Sequence, residues 1–411
     1  MTVSSQLRYG ANTTLELDIR PDSLVAHCGV PCGQPLDDVV AAVAAALVEP
    51  VDFPSIAEAT VPGDRIALAI DAGVPQVANV IAGILQPLLE DKALPENITI
   101  VLAPGHTSPE TIVAELPEEW ANLVTVVTHD PAYQNGLAYL AAGTDGEPIY
   151  INRAICDADL VIPVGCIQVD GTLGYLGIQG GVFPAFADSK SRERFAVPLM
   201  SMAESQRKVR VREMEEAAWL LGARLTVQIV PGNGDELLHV IAGDLDSVAQ
   251  QSQRLASAAW QTRVDRRADL VIAALEGGSQ QQTWDNLTRS LMAAVRVVNE
   301  ENGAIVICSE LDEMPGPALM QMMADDFEFV DMNDELADAG SNFMAEQLAD
   351  SLGRVRVYLL SRLDENVVER MGLAYVDDPR EIDNLCQRHN DCILLSNAQR
   401  VWPTLEDAVS S

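Results

Sequence analysis

The chain has 411 residues and a formal net charge of −35, with 61 acidic and 26 basic side chains. This length predicts two or three domains, and the acidity argues against nucleic acid or an anionic membrane as a partner, because both attract Lys and Arg. Hydrophobic residues make up 48% of the sequence. Because the N-terminus lacks a secretory pattern and no apolar run reaches membrane-spanning length, we expect a globular cytoplasmic protein.

The first half of the chain alternates short buried strands with amphipathic helices. Residues 64–71, 97–105 and 158–165 have the pattern of buried strands, and residues 77–92 carry apolar side chains at helical spacing. Ser108 followed by Glu110 indicates the start of a helix, and an Asp-Gly step at 145–146 between two apolar segments predicts a β-hairpin. This alternation predicts a parallel or mixed sheet covered by helices.

The pattern restarts after a long helix predicted at about residues 190–221. Residues 263–278, RVDRRADLVIAALEGG, again form a strand pattern that ends in a glycine pair before a helix. We therefore predict two α/β domains, over residues 1–262 and 263–411, hinged near residues 255–268. Ligands of open α/β sheets bind beyond the carboxyl ends of the strands, so Gly180-Gly181 and Gly277-Gly278 are expected to face one interdomain cleft.

The seven cysteines are odd in number and lie mostly in apolar, strand-like segments, which predicts free thiols in a reducing compartment. Cys28 and Cys32 have no second cysteine pair nearby, which favours a turn with two free thiols over a metal site. The histidines also lack metal-ligand spacing. The residues therefore predict no metal site, and the oligomeric state stays open.

Two residues at strand ends are candidates for proton transfer. His106 follows the strand at 97–105 and precedes a helix, where a neutral imidazole can act as a general base. A loop histidine that caps or packs explains the same pattern equally well. Asp71 ends the first strand in AIDAGVP, where it could orient a ligand or a histidine, or cap the next helix.

Two further groups are candidates for binding. Asn286 and Arg289 lie one helical turn apart, which places an amide and a guanidinium on one face and suits a carboxylate. A solvated helix face is the alternative for this pair. The loop GTLGYLGIQGGVFPAF, residues 171–186, could cradle an anion on its backbone amides or simply allow close packing of the backbone. Its candidate cofactor contacts are Gln179, Gly180 and Gly181, and its candidate substrate contact is Tyr175.

In order and spacing, these segments resemble the nickel-pincer-nucleotide lactate racemase family. The resemblance rests on LRYGANTTLELDI, AIDAGVP, LAPGHTSPE, GTDGEPIYINRAICDADLVIPVG and GIQGGVFP, and on RRADLVIAALEGG through NLTRSLMAAVRVV. It covers nearly the whole chain and implies two α/β domains of the lactate racemase type with the active site between them. It also implies hydride-type exchange at a 2-hydroxy acid, a lysine-tethered pyridinium nucleotide that carries nickel, two histidine bases, a histidine ligand and basic residues that hold the carboxylate.

Some positions match the pattern of that family. By the resemblance, His106 corresponds to the first base, and Asp71 to the aspartate of the family's D-x-T-R-P turn. Asn286 and Arg289 align with a glutamine and a lysine of the second domain. The resemblance therefore raises the carboxylate-binding interpretation of the Asn286 and Arg289 pair above that of a solvated helix face.

Other positions depart from the pattern. Phe183 replaces the tethering lysine, Leu173 replaces the second base, the metal-binding histidine falls near Leu199, and Val74 replaces the arginine of the turn. Phenylalanine cannot form the tether, and leucine can neither accept a proton nor bind nickel. The resemblance thus predicts the fold, while these departures predict that the mechanism of the family does not transfer to this chain.

Three functions remain open. The first is a racemase or epimerase with an altered, nickel-pincer-independent mechanism, which binds a small 2-hydroxy-acid-like carboxylate in the cleft with His106 as base and Arg289 on the carboxylate. The second is an inactive relative that binds a small acid or nucleotide as a sensor or regulator. The third is a lactate racemase whose cofactor is held without a covalent bond.

Overall fold

The computed structural model describes residues 3–90, 93–105, 108–143, 146–170, 174–176, 181–196, 204–316, 319–320 and 339–406. Six residues of the sequence predictions lie outside this part of the chain: His106, Asp145, Leu173, Gln179, Gly180 and Leu199. For Tyr175 the structure describes the backbone and not the side chain. Predictions that depend on these side chains stay predictions.

Strands and helices alternate along much of the chain. The strands are β1 Val3–Tyr9, β2 Thr13–Ile19, β3 Leu24–Cys28, β4 Ile66–Ile70, β5 Ile98–Leu102, β6 Thr125–Thr128, β7 Leu137–Ala142, β8 Pro148–Asn152, β9 Leu160–Cys166, β10 Gln168–Asp170, β11 Gly174–Leu176, β12 Leu225–Pro231, β13 Leu237–Asp244, β14 Gln261–Val264, β15 Leu270–Ala274, β16 Ala304–Cys308, β17 Arg356–Leu360, β18 Ala374–Tyr375, β19 Cys392–Leu395 and β20 Trp402–Leu405. The helices are α1 Val39–Val48, α2 Ile56–Ala59, α3 Val77–Glu90, α4 Pro109–Glu115, α5 Glu118–Ala121, α6 Arg153–Cys156, α7 Ser189–Ala196, α8 Glu204–Leu220, α9 Leu245–Trp260, α10 Trp284–Val295, α11 Ala339–Arg354, α12 Glu365–Arg370 and α13 Arg380–Arg388.

The first layer is a six-stranded sheet in the order β13-β12-β9-β4-β5-β6. Neighbouring strands run parallel, except β12 and β13, which are antiparallel. The central strand β4 is buried on both faces. Leu68 and Ile70 pack in one cluster with α1 and α3, while Ala67 and Ala69 pack in another with Phe183. A strand that is apolar on both faces is typical of a parallel sheet covered on both sides, which confirms the predicted α/β class.

The second layer is a six-stranded, parallel sheet in the order β18-β17-β16-β15-β19-β3. The hairpin β1–β2 packs on one face of this sheet through Leu7 and Leu17. The Gly10 N–H donates to the Leu275 carbonyl at 2.8 Å. Residues 3–28 therefore lie on the second layer although they precede the first in the chain. The domain boundary at residue 262 stays a prediction.

Several local predictions agree with the structure. The predicted hairpin is confirmed by the antiparallel pair β7–β8, in which Leu137 faces Asn152. The predicted start of a helix at Ser108 is confirmed, since its hydroxyl accepts from the Thr111 N–H at the first turn of α4. The helix predicted at about 190–221 is instead described as α7 and α8, on either side of residues 197–203. None of the helices in the described ranges is long and apolar enough to cross a membrane.

Candidate functional site

A cavity of about 310 Å³ lies where the carboxyl ends of strands from both layers meet. This is the place where open α/β sheets bind ligands. The first layer lines it with residues that end or follow β4, β5, β9 and β12, and the second layer with residues that follow β15, β16 and β19. Among these lining residues are Ala72, Gly73, Gly105, Cys166, Gln168, Pro231, Gln281, Asn286, Arg289, Glu313, Gln399 and Arg400.

Arg289 projects from α10 into the cavity wall, and its side chain is only 17% exposed. Its Nη1 donates to Asn286 Oδ1 at 2.9 Å, and its Nη2 donates to Gln168 Oε1 at 2.5 Å across the two layers. Nη1 also lies 2.6 Å from Asp285 Oδ2, on a side chain that is 55% exposed. The guanidinium is therefore fixed by two neutral amides and one exposed carboxylate.

Asn286 presents its amide oxygen to Arg289 because its amide nitrogen is already used. Nδ2 donates to the Gln281 carbonyl at 2.9 Å, which orients the amide plane. The first turn of α10 is held by Thr283, whose hydroxyl accepts from the Asn286 N–H at 3.3 Å. The structure thus brings Asn286 and Arg289 together on the wall of one cavity; the roles predicted for them stay predictions.

Asp71 directly follows β4 and precedes the lining residues Ala72 and Gly73. Its Oδ1 accepts from the Ala72 N–H at 2.8 Å. Burial raises the pKa of the Asp71 carboxyl to about 6, against the opposing effects of that N–H and of the Arg289 charge. A carboxyl with this pKa exchanges its proton close to neutral pH.

A second guanidinium, that of Arg400, lies in the cavity wall and was not predicted as a site residue. Arg400 is 6% exposed, and it donates to the Gly232 carbonyl and, at 3.4 Å, to Gln281 Oε1. Burial lowers its pKa from the usual value, and the nearby acids Asp235 and Glu276 oppose that effect. Arg400 follows the buried strand β19, whose carboxyl end reaches the cavity. This position after a buried strand is the sequence feature that could have marked Arg400 as a candidate site residue.

Two tryptophans also line the cavity and were not predicted as site residues. The Trp260 indole N–H donates to the Pro231 carbonyl, and the Trp284 indole N–H donates to the Glu313 carbonyl, both at 2.9 Å. Each indole therefore has its polar atom occupied by the protein. What these side chains offer to the cavity is aromatic surface.

Three of the four glycines expected in the cleft, Gly181, Gly277 and Gly278, lie in the described part of the chain. Gly277 has a φ of +116°, and the Gly278 N–H donates to Asp235 Oδ2 at 2.8 Å, so that this amide already has a carboxylate partner. Gly181 is buried, next to the core residue Val182. Neither Gly181 nor the Gly277-Gly278 pair is among the described residues that line the cavity.

Phe183, which the resemblance matches to the tethering lysine, belongs to the hydrophobic core. Its side chain is 1% exposed, and its ring packs edge-on against Phe195 with the ring centroids 4.7 Å apart. Val74, at the position of the arginine of the turn, is 3% exposed. Within the described ranges, no group of three His, Cys, Asp or Glu side chains is arranged to hold a metal ion. These residues do not fit a tethered nickel nucleotide.

Comparisons with known proteins agree with the fold. Residues 9–201 match the model of the lactate racemase N-terminal domain. The lactate racemase apoprotein from Thermoanaerobacterium thermosaccharolyticum has a similar structure, with a TM-score of 0.75 and 16% identity over 98% of this chain and 100% of that one. A protein from Thermotoga maritima has a TM-score of 0.67 and 14% identity, over 91% of this chain and 99% of that one. No curated protein matches the chain by sequence.

Proposed function

We propose that this chain binds a small 2-hydroxy-acid-like carboxylate between the two layers. Residues 9–201 match the model of the lactate racemase N-terminal domain, and the fold is that of lactate racemase. The observation that carries the proposal is the mostly buried Arg289 guanidinium in the wall of the cavity. A guanidinium always carries its charge and can pair with both oxygens of a carboxylate.

Arg289 keeps donors for a ligand. Of its five N–H groups, the contacts with Asn286, Asp285 and Gln168 use three. The Asp285 carboxylate is exposed, and such i, i+4 pairs contribute little stability, so a ligand carboxylate can displace it. The neutral amides of Asn286 and Gln168 hold the guanidinium plane without cancelling its charge.

The cofactor of the resembling family has no part in this proposal. The Phe183 side chain can neither form a covalent link nor leave the core without cost, and Val74 supplies no cation. We therefore assign the binding of the acid to residues of this chain alone.

A racemase or epimerase activity is the second candidate, and Asp71 favours it. A carboxyl whose pKa is raised to about 6 can take a proton from a substrate and return it near neutral pH. Asp71 directly precedes the lining residues Ala72 and Gly73, and we propose Asp71 for one face of the acid and His106 for the other. Transfer of deuterium from D2O to the 2-carbon of lactate, followed by NMR, tests this activity. Wild type should exchange and Asp71→Asn should not, whereas a sensor would bind the acid without exchange.

Calorimetric titration of lactate into wild type and Arg289→Ala tests the binding proposal. We expect a measurable but weak affinity in wild type, because the net charge of −35 opposes an anion, and at least a tenfold loss in the variant. Arg354→Ala is the matched control. It removes the same charge from an exposed side chain on α11 that pairs with Asp350, and it should bind like wild type. Equal affinities in all three proteins would exclude Arg289 from the site.

We also propose a cytoplasmic location. All seven cysteines are free thiols in the structure, including the exposed Cys32, and free thiols persist where the compartment is reducing. The described helices offer no membrane span. Secretion with intact disulfides under oxidising conditions would contradict this location.

A further inference from the structure

We infer that the acid bound in this cavity carries a large apolar side group, preferably an aromatic ring, and is not lactate itself. The inference rests on the proposed binding of a carboxylate at Arg289 and adds the substrate class. Three features of the cavity carry it: its size, its two indoles and the charges around it.

The cavity is much larger than a three-carbon hydroxy acid. Its volume is about 310 Å³, whereas an apolar protein cavity of about 150 Å³ is enough to hold benzene. Lactate has only six non-hydrogen atoms and would leave most of this volume to water. A ring attached to the 2-hydroxy acid fills the space while the carboxylate still reaches Arg289.

One part of the cavity wall is apolar. Trp260 and Trp284 are 3% and 5% exposed, and both indole N–H groups donate to backbone carbonyls. Val169 and Leu319 add aliphatic surface to the lining. Aromatic side chains whose polar atoms are occupied bind rings by edge-on or offset contacts, so this part of the wall recognises an aryl group better than a hydroxyl or a second acid.

The charges of the cavity disfavour a second carboxylate on the ligand. Asp285 and Glu313 line the cavity, and like charges across a binding site lower affinity. Arg400 does not reverse this balance, because its donors go to Gly232 and Gln281 and its charge is offset by Asp235 and Glu276. A monoanion with an apolar side group meets the smallest electrostatic penalty.

Calorimetric titration with 3-phenyllactate, lactate and malate tests the inference, using wild type, Arg289→Ala and Val169→Phe. We expect 3-phenyllactate to bind wild type at least tenfold more tightly than lactate, and malate to bind no better than lactate. Val169→Phe fills part of the cavity and should weaken 3-phenyllactate at least fivefold while leaving lactate within twofold. Arg289→Ala should weaken both acids.

The outcomes separate this inference from the proposed function. If lactate binds as tightly as 3-phenyllactate and both depend on Arg289, the inference is overturned and the carboxylate site stands. If malate binds most tightly, the ligand is a dicarboxylate and the inference is also overturned. If none of the acids binds, both the proposed function and the inference fail. The comparison of acids in wild type decides the matter even if Val169→Phe does not fold.

Discussion

Asp71 illustrates how the surroundings of a single carboxyl change its chemistry. Its pKa rises from 3.8 to about 6 because burial disfavours the charged form. Ionising Asp71 is therefore costlier in the folded protein than in the unfolded chain. This cost is absent below pH 3.8, grows as the pH rises towards 6, and is fully present above it.

We expect Asp71→Asn to stabilise the protein at high pH. An amide oxygen can still accept from the Ala72 N–H, and it carries no charge to desolvate. The free energy of unfolding of the variant should exceed that of wild type by about 3 kcal/mol at pH 8, and by less than about 1 kcal/mol at pH 4. Urea denaturation at both pH values measures this. Asp350→Asn, which removes an exposed carboxylate, is the control for the loss of charge alone. If the difference in stability between Asp71→Asn and wild type does not change with pH, the raised pKa of Asp71 is contradicted.

Phe183 allows a second test at the scale of one residue. Since its ring is buried in the core against Phe195, Phe183→Lys should lower the free energy of unfolding by about 4 kcal/mol or more, because it combines a lost aromatic ring with a buried charge. Phe183→Leu should cost only about 1–2 kcal/mol. Thermal and urea unfolding of both variants gives the comparison. Equal stability of the two variants would mean that this position faces solvent or a ligand.

Residues of the site differ in how far the sequence could predict them. Asn286 and Arg289 could be predicted as a pair because their spacing on one helix is local. Gln168, Trp260 and Arg400 could not, because they reach the cavity from distant strands and helices whose meeting depends on the tertiary fold.

Elements with strong local sequence patterns were predicted correctly, while an element that depends on pairing with a distant strand was not predicted. Residues 64–71 were predicted as a strand and include β4, whose five residues are all buried. β3 was missed: most of its residues are only partly buried, and its partner β19 lies at the other end of the chain. A weak apolar pattern without a nearby partner gives no local signal.

The contact between the end of β3 and the chain after β19 predicts the effect of one substitution. Gly29 has a φ of +92°, and a methyl group there would collide with the Ser396 carbonyl. We expect Gly29→Ala to lower the free energy of unfolding by about 3 kcal/mol or more, since strain and collision add. Gly63→Ala is the matched control, because Gly63 has a φ of +99° and open space around it, and it should cost about 1 kcal/mol. Urea denaturation measures the free energy of unfolding of both variants. Equal decreases for the two variants would show that the collision with the Ser396 carbonyl does not contribute.

At the scale of the molecule, the alternation of strands and helices was enough to predict an α/β fold. A cavity lies at the carboxyl ends of the strands, where the sequence predicts a ligand site. The alternation did not predict that residues 3–28 return to the second layer, since the hairpin β1–β2 joins it through contacts such as Leu7 and Leu17. The position of the cavity follows from topology, while its aromatic walls follow from packing.

The charge of the whole chain predicts a strong response to salt. A net charge of −35 makes the folded state repel itself, and the screening length falls from about 10 Å at 0.1 M salt to about 3 Å at 1 M. We expect the Tm to rise by about 5 °C or more when NaCl is raised over this range. Differential scanning calorimetry measures the shift, with an equal osmolality of sucrose as the control. A Tm that stays constant or falls in NaCl would show that self-repulsion does not limit stability.

The central proposal is that this chain binds a carboxylate within the lactate racemase fold through residues that do not fit a tethered nickel nucleotide. Native mass spectrometry of protein purified from its own host tests this claim most directly, because it detects a covalent adduct and a bound metal in the same spectrum. The account predicts the mass of the polypeptide alone, since Phe183 offers no group for a link. A stable increment of nucleotide size, or one nickel ion per chain, would contradict it.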